Sequence, residues 1–309
     1  MKKLGMAMLM IAGALMMAAP ALAQGENAAG QGRAVVTVLA KHGGSMAKIF
    51  QQAVSVKVNG KESSVTGWVP FKSADDRLEL VMLIDSEATQ NLGTQFGDIR
   101  QFIQGLGPNA KVAIAYMQNG RAILAGPLSA DHAQALRGLR LAQSPSASPY
   151  FCLSDLAKNW PSGDRGARRV VVMVTDGVDP FYPDFDPQDT YVEAATKDSM
   201  RAGLVVYSIF WSNLYSTMSA GYTVAGQSLQ SQLTQATGGK SYWMGMGNPV
   251  SFQPYFEDLA RRLRNQYELD FTARQERKPT MEYLKLKVEG PPVEITAPQK
   301  VFVDHPGAE

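Results

Sequence analysis

Arg169-Val170-Val171-Val172-Met173-Val174-Thr175-Asp176-Gly177 is the stretch on which the fold turns. Its apolar run, rich in β-branched valine, reads as a strand covered on both faces, because a strand with one wet face would alternate apolar and polar residues. The polar, turn-forming Thr175-Asp176-Gly177 then ends it. Companions appear on either side: Leu78 to Ile84, closed by Asp85; Lys111 to Met117; Leu204 to Phe210; and a short Ser241 to Met244. Between them lie helical patterns. Leu92, Phe96, Ile99, Ile103 and Leu106 recur at steps of three and four, Ser129 is placed to cap a helix running to about Arg140, and further helices are predicted near Tyr150 to Lys158, Gln188 to Ala202, Leu229 to Ala236 and Phe252 to Arg264. Asn119-Gly120 turns the chain directly into Arg121 to Ala125, a connection so tight that it demands antiparallel pairing at a sheet edge. The fold class is α/β, a doubly wound, mostly parallel sheet of Rossmann-like type.

The flanks differ in texture. Residues 24 to 33 are rich in Gly, Ala, Asn and Gln without periodicity and read as a flexible leader; Val35 to Leu39, Ala53 to Val58 and Ser64 to Phe71 then read as strands, punctuated by His42-Gly43-Gly44 and by Asn59-Gly60, a strong hairpin signal. After residue 265 the chain is again β in character, with Tyr267 to Thr272, Tyr283 to Val288 and Val293 to Val303, and is expected to pair with the N-terminal segment. The organisation is therefore a segment 1–23 of a different kind, a leader and N-terminal β segment over 24–77, an α/β unit over 78–265, and a C-terminal β tail over 266–309.

Segment 1–23 reads as an address. Lys2 and Lys3 precede a run from Leu4 to Ala19 that is almost wholly apolar, and Ala21-Leu22-Ala23 is a small-x-small site before Gln24, the pattern of a cleaved secretory signal. A retained anchor is the rival, but Gly5, Gly13 and Pro20 interrupt the run, and it falls short of the roughly 20 residues of a span. A secreted or periplasmic location with no membrane span after cleavage is expected. Without Lys2 and Lys3 the basic residues fall from 30 to 28, equal to the 28 acidic ones. No basic stripe interleaved with aromatics favours nucleic acid, and Arg165, Arg168 and Arg169 read as a solvated loop. The one cysteine, Cys152, rules out intrachain disulfides and thiolate metal sites and reads as a small buried residue.

In an open α/β sheet, ligands bind at the carboxyl ends of the strands. The residues there are Asp85-Ser86-Glu87-Ala88-Thr89, the Ser144 to Ser148 loop, and Thr175-Asp176-Gly177. Carboxylates and hydroxyls converging on one point would suit magnesium, manganese or calcium. Either aspartate alone serves equally well as a helix cap. The acidic, Pro-rich stretch Asp179 to Pro187, with Phe181, Tyr182 and Phe185, reads as a rigid surface loop whose last acid, Asp189, caps a helix; a recognition surface with aromatic anchors is the alternative, as it is for Trp211, Tyr215 and Tyr222.

As an ordered set, these motifs resemble the von Willebrand factor A (VWA) domain over residues 79 to 265: an Asp-x-Ser-x-Ser-type loop after a hydrophobic strand, a later Thr/Ser loop, Val171-Val172-Met173-Val174-Thr175-Asp176-Gly177, and Leu233 to Lys240, similar to the Ala-x-x-Thr-Gly-Gly before that family's last strand. Leu263-Arg264-Asn265-Gln266-Tyr267 further resembles a secreted bacterial subgroup, common in acidobacteria, in which β segments flank the domain. The resemblance implies a metal-ion-dependent adhesion site (MIDAS) holding a divalent cation, with Asp85 and Thr89 in the first loop, Ser148 in the second, with Ser146 as a fallback, and Asp176 in the third. A partner's acidic side chain would complete it. Glu87 stands where the family pattern has serine, so Glu87 either ligates the ion itself or crowds an empty site with a third carboxylate. The expected function is a secreted, non-enzymatic module docking a protein or cell-envelope partner through this degenerate site. A metal-free scaffold of an envelope assembly is the alternative, followed by a haloacid-dehalogenase-like, Mg-dependent phosphatase using Asp85, from which Glu87 departs by a methylene. No Gly-x-Ser-x-Gly elbow suggests serine hydrolysis.

Overall fold

The structure, a computed structural model, describes residues 30–41, 48–71, 76–145, 148–273, 280–290 and 292–304. The expected signal 1–23, the first part of the leader, and His42, Ser146 and His305 lie outside the described residues. In chain order the strands are β1 (Gly30–Ala40), β2 (Val54–Val58), β3 (Lys61–Ser63), β4 (Val65–Pro70), β5 (Leu78–Asp85), β6 (Lys111–Gln118), β7 (Arg121–Leu124), β8 (Arg168–Thr175), β9 (Leu204–Phe210), β10 (Ser241–Tyr242), β11 (Gln266–Ala273), β12 (Thr280–Val288), β13 (Val293–Thr296) and β14 (Lys300–Asp304). The helices are α1 (Phe96–Gln104), α2 (His132–Leu136), α3 (Pro149–Lys158), α4 (Thr190–Arg201), α5 (Leu214–Met218), α6 (Ala220–Ala236) and α7 (Gln253–Arg264).

Six strands form one sheet in the order β10-β9-β8-β5-β6-β7, parallel except for β7, which returns antiparallel at the edge as its Asn119-Gly120 turn requires. Every residue of β5 is buried. The strand's period of two divides its side chains between two cores. Leu80, Met82 and Ile84, with Val170, Val172 and Val174 of β8, meet Ile99, Ile103, Phe256 and Leu259 of α1 and α7. Val81 and Leu83, with Val171 and Met173, meet Tyr150, Leu153, Val192 and Leu233 of α3, α4 and α6 on the other face. Cys152 lies in this second core, where burial pushes its thiol up to about 12, so it packs as a neutral side chain.

The flanking segments build a separate eight-stranded sheet, β3-β2-β12-β14-β1-β11-β4, with β13 also on β1. Its central pairing, β1 antiparallel to β11, joins the N-terminal and C-terminal segments in register from Gly30↔Ala273 to Thr37↔Gln266.

Several expectations are corrected. Gly30 to Arg33 is strand rather than leader: Gly32 has no Cβ where the Phe271 ring passes, since a Cβ there would meet that ring at 2.3 Å. Asn59 and Gly60 do make a tight turn, with φ of 47° and 80°. That turn pairs β2 with the short β3, whereas β4 leaves to join β11. Ser129 caps no helix; it bridges to Val112, and Asp131 caps the five-residue α2 through Gln134 N–H. α6 starts nine residues earlier than Leu229, capped by Ser219. Arg168 is no solvated loop residue. It is 4% exposed and clamps the two sheets, donating to Asp76 (2.7 Å), Gln266 Oε1 (2.5 Å) and the Leu263 carbonyl (2.8 Å).

Candidate functional site

The chain runs from β5 to β6 on one side and from β8 to β9 on the other, so adjacent β5 and β8 send their helices to opposite faces and leave a crevice at their carboxyl ends. Asp85 ends β5 there and Asp176 follows β8. They are 4% and 0% exposed. Asp85 accepts from Glu87 N–H (2.9 Å), Thr175 Oγ1 (3.0 Å) and Asn213 Nδ2 (3.2 Å). Asp176 accepts from Val178 N–H (3.0 Å) and Ser216 N–H (3.2 Å). Both carboxyls are raised above their ordinary range. Burial is the main cause for each; Asp85's charge adds to it at Asp176, and Glu87's adds to it at Asp85. The partners that oppose this rise are neutral donors, backbone N–H groups and the side chains of Thr175, Asn213 and Ser216.

The five residues assigned from sequence are therefore brought together only in part. Asp85 and Asp176 share the crevice. Glu87 supplies a backbone N–H to Asp85, and its side chain is half-buried. The Thr89 hydroxyl donates to Asn91 Oδ1 (2.8 Å) and lies 3.5 Å from Ser212 Oγ. Ser148 caps α3, accepting from Tyr150 N–H, and bonds the Asp179 carboxylate. Sequence reasoning missed Thr175 as a hydroxyl donor, and Asn213 and Ser216 altogether. The strand-end rule applied to β9 was the available signal, because Asn213 stands three residues after Phe210.

Two buried carboxylates have the right chemistry for a hard cation, which takes about six to eight oxygen ligands as calcium or six as magnesium. The arrangement does not fit one. Asn213 turns an N–H into the crevice toward Asp85, the Thr89 and Ser148 hydroxyls are committed elsewhere, and Ser86 Oγ is the one buried hydroxyl of the first loop without a partner. Among the described residues, no three His, Cys, Asp or Glu side chains converge as a metal site.

Around the crevice the loops after β8, β9 and β10 expose Phe181, Tyr182, Phe185, Met218, Met244, Met246 and Val250. The first of these loops is held rigid: Asp179 accepts from Phe181 N–H, Asp189 caps α4 through Tyr191 and Val192 N–H, and Phe181 and Tyr182 lie against Tyr191 with ring centroids 6.2 and 5.8 Å apart. Trp211, by contrast, is a core residue, edge-on to Phe252.

Solved structures similar to the chain include the SpRpn10 VWA domain (10% identity over 56% of this chain and 98% of that one, TM-score 0.34) and the manganese-loaded TRAP protein of Plasmodium vivax (12%, 79% and 100%, 0.41). An aerotolerance-related membrane protein of Bacteroides fragilis is also similar (12%, 60% and 98%, 0.42). No family model matches the sequence, and no curated protein does. At these identities and scores neither a family nor any residue's role passes from those structures to this chain.

Proposed function

We propose that this chain is a secreted, non-enzymatic VWA-type binding module that docks a protein partner through the carboxyl end of its parallel sheet. The observation that carries this reading is the rim of exposed aromatic and methionine side chains on three consecutive strand-end loops. Large apolar groups held in the open on rigid loops are costly to hydrate and serve as interface anchors. Exposed Asp184 and Asp186 lie among them, and neutral donors leave the charge of the buried pair unbalanced, so the surface suits a partner with apolar and basic groups. Docking then needs no metal: a partner's carboxylate would meet the charge of Asp85 and Asp176 rather than an ion.

Two measurements test this. Calorimetric titration of the purified protein with magnesium, manganese and calcium should give no saturable heat; saturable binding lost in Asp85→Ala and Asp176→Ala would restore the cation-bridged alternative. In cells producing the protein, site-specific cross-linking from position 181 should give a discrete adduct that disappears in Phe185→Ser with Met244→Ser and survives in Asp85→Asn. An adduct indifferent to the rim substitutions would overturn the reading.

A further inference from the structure

At the opposite, amino end of the parallel sheet, a cavity of about 530 Å³ opens where the starts of β8 and β9 and the end of α4 face β1, β11 and β14. Its size falls in the usual range of small-ligand sites, roughly 300–1,000 Å³. Its walls carry Arg33, Arg165, Arg168, Arg169, Arg201 and Lys300 against one acid, Glu268. That imbalance occurs in a chain whose residues 24–309 hold equal numbers of acids and bases.

Internal pairing accounts for only two of the six. Arg33 meets Asp270 at 2.9 Å and Glu268 at 3.5 Å, and Arg168 meets Asp76 at 2.7 Å. Among the described residues, no carboxylate lies within 4 Å of Arg165, Arg169, Arg201 or Lys300. Arg201 rests 5.9 Å from the Phe302 ring and Lys300 4.5 Å from the Tyr283 ring, weak contacts that leave their donors available. Arg169 donates only to carbonyls, those of Ser162 and Asp164 at 3.2 Å and Ala202 at 3.5 Å. The Nε atoms of both Arg168 and Arg169 are buried without an acceptor. Burial lowers both guanidinium groups; Asp76 opposes this at Arg168 and Glu79 and Asp164 oppose it at Arg169, where the charge of Arg165 adds a smaller lowering. Guanidinium forks lining a cavity in this way suit bidentate bonds to planar or tetrahedral oxyanions.

We propose that this cavity binds a small multivalent oxyanion, one carrying two or more phosphate or carboxylate groups, with Arg165, Arg169, Arg201 and Lys300 as its contacts and the Arg168 clamp fixing the wall between the two sheets. The site is separate from the docking rim and stands whether or not that rim docks a protein.

The test is calorimetric titration of the purified protein with inorganic pyrophosphate and, in parallel, with citrate, at low ionic strength and at 0.15 M NaCl. Saturable binding that weakens with salt is expected for at least one probe, and which one binds distinguishes a phosphate source from a carboxylate source. Arg165→Gln and Arg201→Gln, both at exposed side chains that leave the fold intact, should each weaken binding about fivefold or more. Arg121→Gln, on the far edge strand, should not change it, and neither should Asp85→Asn. No saturable binding of either probe, or affinities unchanged in Arg165→Gln and Arg201→Gln, would overturn the proposal.

Discussion

The two ends of one parallel sheet carry opposite chemistry. At the carboxyl ends Asp85, Asp176, Asp179 and Asp189 are buried, and backbone N–H groups and hydroxyls serve them. At the amino ends Arg165, Arg168, Arg169 and Arg201 gather around a cavity. The difference follows from the connectivity. In a doubly wound sheet each helix begins near a strand's carboxyl end, so its unpaired N–H groups and positive dipole end favour aspartate there, as Asp189 shows on α4. Each helix ends near the next strand's start, where exposed carbonyls and the negative dipole end favour arginine, as Arg201 shows on the same helix. Polarity of charge is thus written into the winding of the chain. Function is the use made of the surplus at each end.

The comparison can be broken most forcefully at the basic end. Arg168→Ala should destabilise the fold by about 3–5 kcal/mol in urea unfolding, because it strands half-buried Asp76 and the buried Gln266 oxygen. At the acidic end the sign reverses. Folding raises the Asp85 carboxyl, so the native state binds its proton more tightly than the unfolded chain does, and stability falls as pH rises from the ordinary carboxyl range through the raised native value. In Asp85→Asn that pH dependence should shrink, and stability at pH 7 should hold or rise, by about 1.4 kcal/mol for each factor of ten by which folding had tightened the proton's hold on Asp85; the Asn213 amide and Thr175 hydroxyl can reverse their roles toward the new amide. Thermal melts of both proteins between pH 4 and 8 check this, and a variant less stable at pH 7 would show that the charge is compensated. Asp189→Ala should cost about 1 kcal/mol through loss of the α4 cap, read by the same unfolding curves. Smallest, Arg165→Gln without ligand should leave the melting temperature unchanged or raise it slightly, since it removes a repulsion from Arg169.

Asp258 sharpens the contrast. Burial alone would raise it, but hydrogen bonds from Arg261, Lys240 and Arg262 outweigh burial and hold it far below its usual range. Its contribution is present above the unfolded carboxyl value and is lost as pH falls through the depressed native one. A half-buried acid given cations stabilises the fold at neutral pH, whereas fully buried Asp85 and Asp176, given neutral donors, do not.

Much of this was legible along the chain. The continuous apolar runs of β5, β6, β8 and β9 announce strands covered on both faces, and the position after β5 and β8 marks Asp85 and Asp176. What could not be read depended on distant partners. Arg168 is buried because Gln266 and the Leu263 carbonyl, nearly a hundred residues on, come back to receive it. Gly30 to Arg33 lacks any apolar period, yet becomes strand because β11 offers it a ladder. Asn213 enters the acidic crevice from a loop whose aromatic neighbours, Trp211 and Tyr215, give the louder signal in sequence. The resemblance to VWA domains placed the hydroxyls of Thr89 and Ser148 at a metal site, and only the turn geometry reveals that they point to other acceptors.

The pairing of β1 with β11 has a temporal consequence. Gly30 waits for Ala273, so the second sheet cannot assemble until nearly the whole chain is available, whereas the β5 to α7 unit is complete within its own span. The contacts of the second sheet therefore span most of the chain, while those of the parallel unit stay within residues 78 to 264. The arginine cavity is lined from both sheets and exists only where they meet, so an oxyanion that bound there would report their docking.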